Sequence, residues 1–318
     1  MNIFNVENKK WKLSEYTTEY TTDYSNSNRI LKYNVINKLN NNFCSDKWNE
    51  NNIKIIERIG SESSEGEVYK LKIGQDMIVG KILPIMDTKS LLKNQNEMEI
   101  AKKMSDEVLL KNTIYFLLVY KTLYCENTLY NPKSKFYENS CKYVLYQDNK
   151  REFWRNKNKS LDELNLNNLN NLEIPSNILI SEIAWGDLRE FTSRFKIEYE
   201  HCDYILKHLF NAIKFLNETM NIMHNDLHMG NVLILLNNNL QIYIPLIHDF
   251  GKSEKMKTWT MYDRITDIYK ILYDMSLNPN IPNSFKNKIQ KLLTYIVDIK
   301  FNENSYPILD KIHQLYLE

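Results

Sequence analysis

Short runs rich in apolar residues dominate the first half of the chain. They occupy residues 53–59, 67–73 and 77–83, and a segment with a glycine at each end, Gly60 to Gly66, separates the first two. Apolar positions that repeat every two residues are typical of strands, and glycines let backbone N–H groups approach a phosphate closely. The pattern predicts a β-hairpin followed by a third strand. Taken alone, the segment between the glycines fits a phosphate-binding loop and a plain hairpin turn equally well.

A helical repeat follows in residues 94–104, where apolar residues stand three, four and seven positions after Glu97. This spacing puts Glu97 beside the buried face, whereas two lysines follow Glu99 and place it on the solvent side. Lys81 stands between apolar neighbours in the third predicted strand, where its ammonium group needs a partner. We therefore expect Lys81 to pair with Glu97 rather than with Glu99.

The second half of the chain has the period of helices. Residues 203–220 show a strongly amphipathic helical pattern and the chain from residue 266 onward reads as further helices, whereas residues 178–188 read as a buried strand leading into a turn. We expect an α+β protein whose extension is irregular or strand-like and packs on the main body. The expected parts are an N-terminal extension at 1–50, a strand-rich lobe at 51–182 with an insertion near 121–177, and a helix-rich lobe at 183–318.

The composition is that of a globular protein without a dominant charge. Of the 318 residues 43% are hydrophobic, and 41 basic residues against 40 acidic ones give a net charge of +1. A chain of this length can bury a large core, either as one domain with two lobes or as two domains. A balanced charge attracts neither nucleic acid nor an anionic membrane surface. We therefore expect no direct nucleic-acid binding and no membrane association.

The cysteines and the first residues bear on the cellular location. Cysteines scattered without a CxxC pair are more typical of reduced thiols in a reducing compartment than of a disulfide framework. Residues 1–7 lack the apolar core of a signal peptide, and the longest apolar stretch, residues 114–120, is too short to cross a bilayer. We expect an intracellular protein, cytoplasmic or nuclear and not secreted. The cysteines are Cys44, Cys125, Cys141 and Cys202.

The most specific chemistry lies in residues 224–231, HNDLHMGN, which an apolar run at 232–236 follows. Asp226 and Asn231 stand five positions apart on a loop that leads into a predicted strand. Such a pair can place a carboxylate beside a nucleophilic hydroxyl and an amide on a metal-bound phosphate. The spacing is typical of phosphoryl transfer.

A second motif, HDFG, ends at Gly251 after another apolar segment, residues 242–247. Joined by a turn at residues 237–239, the two apolar segments would form a hairpin that brings Asn231 and Asp249 to the same end. Either motif alone would fit an ordinary surface turn. Their order and spacing together predict a site for Mg²⁺, which prefers oxygen ligands.

Taken together, the motifs in residues 53–318 resemble those of the eukaryotic-like protein kinase superfamily. DLHMGNVL, GEVYK and KILPI are most similar to the atypical haspin-like kinases, which usually lack the DFG found here. The resemblance implies a bilobal protein-kinase-like fold with a β-rich N-lobe and an α-helical C-lobe. The shared features are the Gly60 to Val68 segment, the VGK ending at Lys81, Glu97, ISEIAWGDL, HNDLHMGN, HDFG, and Asp267 in a helix.

The resemblance also implies transfer of the γ-phosphoryl group of ATP to a Ser or Thr hydroxyl of a protein substrate. Asp226 would orient the hydroxyl and accept its proton, and Lys81, paired with Glu97, would hold the α- and β-phosphates. Asn231 and Asp249 would hold Mg²⁺. The catalytic residues would be Asp226, Lys81 and Asn231. The nucleotide would also contact Gly60, Gly66, Val68 and, through the adenine, the backbone from Glu182 to Ala184.

By the same resemblance, two further residues would support the loop without contacting ATP. His224 would pack in the loop and donate a hydrogen bond to backbone. Asp267 would accept N–H groups of the loop backbone, although its position also fits a simple helix N-cap.

Differences from the superfamily narrow the expected kind of kinase. Asn225 stands where many kinases have an arginine that binds a phosphorylated activation loop, and only fifteen residues, with no APE motif, separate Gly251 from Asp267. We therefore expect no phosphate-operated switch and a shortened peptide platform. His228 replaces a common lysine, and because a histidine is only partly charged at pH 7 it would either bind phosphate or hydrogen-bond to the loop. Ser63 lies in the region of the middle glycine, where a side chain would either lower nucleotide affinity or change the pose of the nucleotide.

Two other functions remain open. Small-molecule phosphotransferases of the aminoglycoside and choline kinase type have similar loops and also lack an APE motif, although the DFG and Glu97 favour the protein-kinase branch. A pseudokinase-like scaffold would explain the irregular glycine segment. Against that reading stand the intact residues Lys81, Asp226, Asn231 and Asp249.

Overall fold

The computed structural model has a mixed α+β fold whose strand ladders are antiparallel, which confirms the predicted class. It describes residues 18–39, 41–48, 50–59, 66–126, 128, 175–236, 243–256, 260–302 and 308–317. The chain forms two compact units. The sheet unit comprises Leu31–Lys103 and Leu118–Ile183, and the helical unit comprises Met1–Ile30, Met104–Leu117 and Ala184–Glu318. The residues of the predicted extension are divided between the two.

The sheet unit contains a five-stranded antiparallel sheet in the order β1-β2-β3-β5-β4. Its strands are β1 (Ile53–Ile59), β2 (Glu67–Ile73), β3 (Asp76–Pro84), β4 (Val119–Cys125) and β5 (Ser176–Ser181). The three strands predicted between residues 53 and 83 are therefore confirmed. Val68 pairs with Lys81 in the ladder, so both side chains point to the same face of the sheet. Leu71 and Ile78 lie on the opposite face and are fully buried.

Helix α2 (Thr88–Leu109) extends the predicted helix at both ends. It begins after Asp87, whose carboxylate accepts the backbone N–H of Ser90 at 2.7 Å, while the Ser90 hydroxyl accepts the backbone N–H of Asp87 at 2.9 Å. These bonds satisfy polar groups that the first turn of a helix leaves open.

The described part of the predicted extension begins with a helix, α1 (Thr18–Asn37), so the expectation of an irregular or strand-like form is wrong for these residues, and residues 1–17 lie outside the described part. Packing on the main body is confirmed, because Phe43 and Trp48 are 0% and 1% exposed. The Trp48 ring lies 5.8 Å from the Tyr69 ring, and its Nε1 donates to the carbonyl of Phe43 at 2.8 Å. A Cβ at Gly80 would lie 3.2 Å from Trp48, so a larger residue there would press on the indole.

A disulfide joins this segment to the sheet, since Cys44 bonds to Cys125 at the end of edge strand β4. The expectation that these two cysteines are reduced thiols is therefore wrong. The sequence spacing gave no sign of the pair because the cysteines lie 81 residues apart. Lys121 of β4 also ties the segment down, donating to the carbonyl of Leu39 at 2.6 Å with its ammonium over the Phe43 ring.

The helical unit is built from short strands and longer helices. The predicted helix at residues 203–220 is α4, which starts at Tyr199 and passes into a π-helical turn, Phe215–Thr219. Its buried stripe includes Ile205, Leu209 and Ile213, as the amphipathic pattern predicts. None of the described helices is long and apolar enough to cross a membrane. The elements are β6 (Gly186–Asp187), α3 (Leu188–Arg194), α4 (Tyr199–Lys214), β7 (Ile222–Met223), β8 (Val232–Leu236), β9 (Tyr243–Ile247), β10 (Glu254–Lys255), α5 (Met261–Leu277), α6 (Asn283–Asn302) and α7 (Ile308–Leu317).

We expect the Trp48→Ala substitution to lower the free energy of unfolding by about 3–5 kcal/mol, because it removes a buried aromatic ring and leaves a cavity. Denaturant unfolding of the full chain measures this loss. Leu92→Ala is the control, since Leu92 is 61% exposed and its loss should change the free energy by no more than about 0.5 kcal/mol. Equal effects of the two substitutions would show that Trp48 does not belong to the core.

We also expect reductant to lower the melting temperature by several degrees. Closure of an 81-residue loop stabilises a fold by about 4 kcal/mol in the chain-entropy account. A Cys44→Ser variant should start from the lower melting temperature and should not respond to reductant. Alkylation of Cys44 or Cys125 in the native protein without prior reduction would contradict the disulfide.

Candidate functional site

The ladder between β8 and β9 brings the two motif ends together. Val232 pairs with Ile247, and the backbone N–H of His248 donates to the carbonyl of Asn231 at 3.2 Å. Asn231 and Asp249 therefore lie at the same end of the hairpin, as the sequence predicts. The predicted turn at residues 237–239 lies outside the described residues.

Asn231 is held in one orientation by the loop that precedes it. Its side-chain amide nitrogen donates to the carbonyl of Asp226 at 2.9 Å, and its backbone N–H donates to the carbonyl of His228 at 2.8 Å. Because the nitrogen is used inside the loop, the amide oxygen Oδ1 is the atom that can ligate a cation. Asn231 is 6% exposed, so this orientation is fixed in a buried setting.

Asn225 and Asp249 both have left-handed backbone conformations, with φ of 65° and 62°. This region costs an ordinary residue about 1–2 kcal/mol, and Asn and Asp tolerate it best after glycine. The residue types at both positions thus match the backbone they must adopt. Strained positions of this kind cluster at functional sites, and the surrounding bonds must hold them in place.

Side chains on one face of helix α5 form hydrogen bonds with the backbone of the HNDLHMGN loop. Asp267 is fully buried and accepts the backbone N–H groups of His224 at 2.8 Å and Asn225 at 2.9 Å, which confirms the loop-binding role expected for it. Lys270 donates to the carbonyl of Asn225, and Asp274 accepts the backbone N–H of Met229 at 2.7 Å. Positions separated by three and seven residues share one helix face. The helix therefore acts as a template for the loop backbone.

His224 has a structural role, as the sequence predicts. It is fully buried, its Nε2 donates to the carbonyl of His248 at 2.9 Å, and its Nδ1 accepts the backbone N–H of Asp226 at 3.4 Å. Its ring also packs against Phe250 at 5.4 Å. These contacts join the HNDLHMGN loop to the HDFG motif.

The carboxylate of Asp226 faces two basic side chains. Lys252 Nζ lies 2.9 Å from Oδ2 of Asp226, and His228 Nε2 lies 3.9 Å from the same oxygen. His228 Nδ1 accepts the backbone N–H of Gly230 at 3.1 Å, so one of its nitrogens belongs to the loop. The side chain of Asp226 is 30% exposed, so its carboxylate remains accessible to solvent.

A buried arginine from α1 supports the HDFG segment, and no pattern in the sequence indicated it. The guanidinium of Arg29 donates to the carbonyls of Ile114 at 2.7 Å and Phe116 at 2.5 Å, and Arg29 is only 5% exposed. Phe116 packs against Phe250, with ring centroids 6.4 Å apart. A residue of the extension thus contributes to the surroundings of Asp249.

A second support lies beside it, where the carbonyl of Tyr115 accepts the backbone N–H of Ile247 at 2.8 Å. The Tyr115 hydroxyl bonds to Nδ1 of His208 at 3.0 Å. Burial raises the pKa of Tyr115 and lowers the pKa of His208 to about 4. Both groups are therefore neutral near pH 7, and they act here as hydrogen-bonding and packing groups.

Within the sheet unit, Lys81 Nζ lies 2.6 Å from Oε1 of Glu97, which confirms the predicted choice of Glu97 as its partner. Their side chains are 21% and 5% exposed. A Cβ on Gly66 would lie 2.4 Å from the carbonyl oxygen of Ile82, so only glycine fits at that position. Gly60 lies outside the described residues.

Glu182 and Ala184, expected beside the adenine, have different surroundings. The Glu182 carboxylate accepts the backbone N–H of Leu118 at 2.6 Å, and its backbone N–H donates to the carbonyl of Leu118 at 2.9 Å. Glu182 is 5% exposed, so its side chain is buried within the sheet unit. Ala184 is half-buried and is the first residue of the last segment of the helical unit.

The oxygen atoms of Asn231 and Asp249 suit a hard cation whose other ligands are water or phosphate oxygens. Within the described part of the chain, no group of three His, Cys, Asp or Glu side chains could hold a metal ion. Mg²⁺ usually takes one or two protein oxygens and completes its shell with water and substrate phosphates. Asn231 Oδ1 and the Asp249 carboxylate fit that pattern.

No protein-family model matches the chain, and no curated protein matches it. Any functional assignment therefore depends on the residues and contacts described above.

We expect the Asp267→Asn substitution to lower the free energy of unfolding by at least about 2 kcal/mol, because an amide nitrogen would face N–H groups that now donate to a buried carboxylate. Denaturant unfolding measures the loss. Asp298→Asn, at an exposed position of α6, is the matched control. Equal stability of both variants would contradict the role of Asp267 in holding the loop.

Proposed function

We propose that the chain is an ATP- and Mg²⁺-dependent serine/threonine protein kinase of atypical, haspin-like type with a bilobal protein-kinase-like fold. One observation carries the proposal: Asp226 and Asn231 share a loop templated by α5, and the β8–β9 ladder places Asp249 at the same end. This combination provides a base and two oxygen ligands in fixed relation.

Asp226 orients the acceptor hydroxyl and takes its proton. Its partial exposure allows a substrate to reach it, while its backbone carbonyl is fixed by Asn231. Asn231 and Asp249 hold Mg²⁺, which when bound neutralises charge on the phosphates. The loop that carries Asp226 and Asn231 is constrained by several hydrogen bonds, and Asp249 lies between His248 and Phe250, whose backbone groups are both hydrogen-bonded. Such preorganisation is the main protein contribution to phosphoryl transfer.

Lys81 holds the α- and β-phosphates. Its ion pair with buried Glu97 keeps the ammonium extended from β3, on the face of the sheet that Val68 shares. Gly66 allows the backbone to pass close to β3 at the start of β2. The adenine lies against the backbone between Glu182 and Ala184.

A small-molecule phosphotransferase is the second candidate. It is favoured by the short segment between Gly251 and α5, residues 252–260, which leaves little chain for a peptide-binding platform. The pairing of Lys81 with Glu97 on a long helix favours the protein-kinase branch.

We expect Mg-ATP to raise the melting temperature of the wild-type protein, since a ligand that binds only the folded state stabilises it. Asp249→Asn should abolish most of this shift, because it removes the charged Mg²⁺ ligand while keeping a residue that tolerates positive φ. Asp226→Asn should keep the shift and lower phosphoryl transfer by about 100-fold or more. The measurements are thermal unfolding and transfer of label from γ-labelled ATP.

The acceptor is decided by running the same labelled ATP with a generic basic protein and with a panel of small metabolites containing hydroxyl groups. Label on the protein, lost in Asp226→Asn and retained in Asp298→Asn, supports the kinase. Label on metabolites alone would show that the protein is a small-molecule phosphotransferase and not a protein kinase. If Mg-ATP caused no thermal shift and no label were transferred, neither enzyme function would hold and the protein would be a binding scaffold.

A further inference from the structure

The HNDLHMGN loop contains no lysine, yet an ammonium group stands beside its aspartate. Lys252, 26 residues further along the chain, places Nζ 2.9 Å from Oδ2 of Asp226. Of the two histidines in the loop, His228 is the one whose Nε2 faces the Asp226 carboxylate, and its Nδ1 accepts the backbone N–H of Gly230. The closest cation to the proposed base therefore comes from the segment after HDFG.

The backbone around Lys252 is fixed to the loop. The backbone N–H of Ser253 donates to the carbonyl of Phe250 at 3.0 Å, and its hydroxyl donates to the carbonyl of His224 at 3.2 Å. Ser253 is 2% exposed, and the next residues form β10, which pairs with β7 immediately before His224. Lys252 thus projects from a constrained segment, although its own side chain is 56% exposed.

The ion pair between Lys252 and Asp226 contributes little to the stability of the fold. A pair between exposed side chains contributes no more than about 1 kcal/mol, and often nothing measurable. A fixed charge beside a reacting group has a larger effect on rate, because it orients that group and meets charge that develops during the reaction.

We propose that Lys252 is the positioning residue for Asp226 and supplies the positive charge that the loop itself lacks. This inference rests on the proposed function. Lys252 holds Oδ2 of Asp226, so Oδ1 faces the acceptor hydroxyl. The acceptor oxygen forms a bond to the γ-phosphorus, the bond from that phosphorus to the β,γ-bridging oxygen breaks, ADP leaves with the electron pair, and the hydroxyl proton passes to Oδ1.

The test compares Lys252→Met with Lys252→Arg in steady-state transfer of label from γ-labelled ATP to the acceptor found for the wild type. Methionine keeps the length of the side chain without the charge, and arginine restores the charge. We expect Lys252→Met to lower kcat by about tenfold or more while KM for ATP and the Mg-ATP thermal shift stay within about twofold of wild type. Lys252→Arg should recover most of kcat.

Lys255→Met is the matched control, because it removes the same charge from an exposed position three residues away. It should leave kcat unchanged. A melting temperature equal to that of wild type in Lys252→Met would show that the loss of kcat is not a loss of folding.

Three results would overturn the inference. An unchanged kcat in Lys252→Met would show that the ion pair is incidental, and a raised kcat would show that Lys252 shields the base. A raised KM for ATP at unchanged kcat would make Lys252 a nucleotide-binding cation instead. These results differ from failure of the proposed function, in which the wild-type protein itself shows neither a Mg-ATP shift nor transfer.

Discussion

The carboxylate of Asp267 is the interaction on which the candidate site depends. It is fully buried and accepts three N–H donors, two from the loop backbone and one from the side chain of Asn217. Without it, the backbone N–H of Asn225, a residue in the left-handed conformation, would lose its acceptor, and the bond from Lys270 to the Asn225 carbonyl would remain. Asp226 and Asn231 follow on the same short loop, so their positions depend on a residue that need not contact a substrate. A buried charge surrounded by donors is costly to disturb, which makes the template rigid.

A second constraint runs from the N-terminal helix to the HDFG segment. Arg29 fixes two carbonyls of residues 114–116, and this stretch contacts both β9 and Phe250. Buried charges are normally satisfied by several hydrogen bonds, and Arg29 follows that rule. The segment that carries Asp249 is therefore supported from two sides, by the HNDLHMGN loop and by the extension.

The sequence predicted the parts of the site that depend on local spacing. The hairpin that aligns Asn231 with Asp249 and the Lys81–Glu97 pair follow from periodicity and motif order, whereas the support from Asp267 was implied by the family resemblance. It missed Arg29, the disulfide and Lys252, because each depends on a contact 26 to 87 residues away along the chain. Polar composition made the extension look irregular, and its helix forms because tertiary packing outweighs weak local preference.

The packing of Phe43 and Trp48 also determines which N-terminal truncations the protein can tolerate. A fragment that starts at Ile53, where the recognisable motifs begin, would lack both rings and would leave the faces of Tyr69 and Gly80 uncovered. Newly bared apolar surface of this kind promotes aggregation. The same fragment would carry Cys125 as an unpaired thiol and would lose Arg29. Arg29, Phe43, Cys44 and Trp48 are thus part of the folding unit, and expression of residues 53–318 alone would yield a different and less soluble polypeptide.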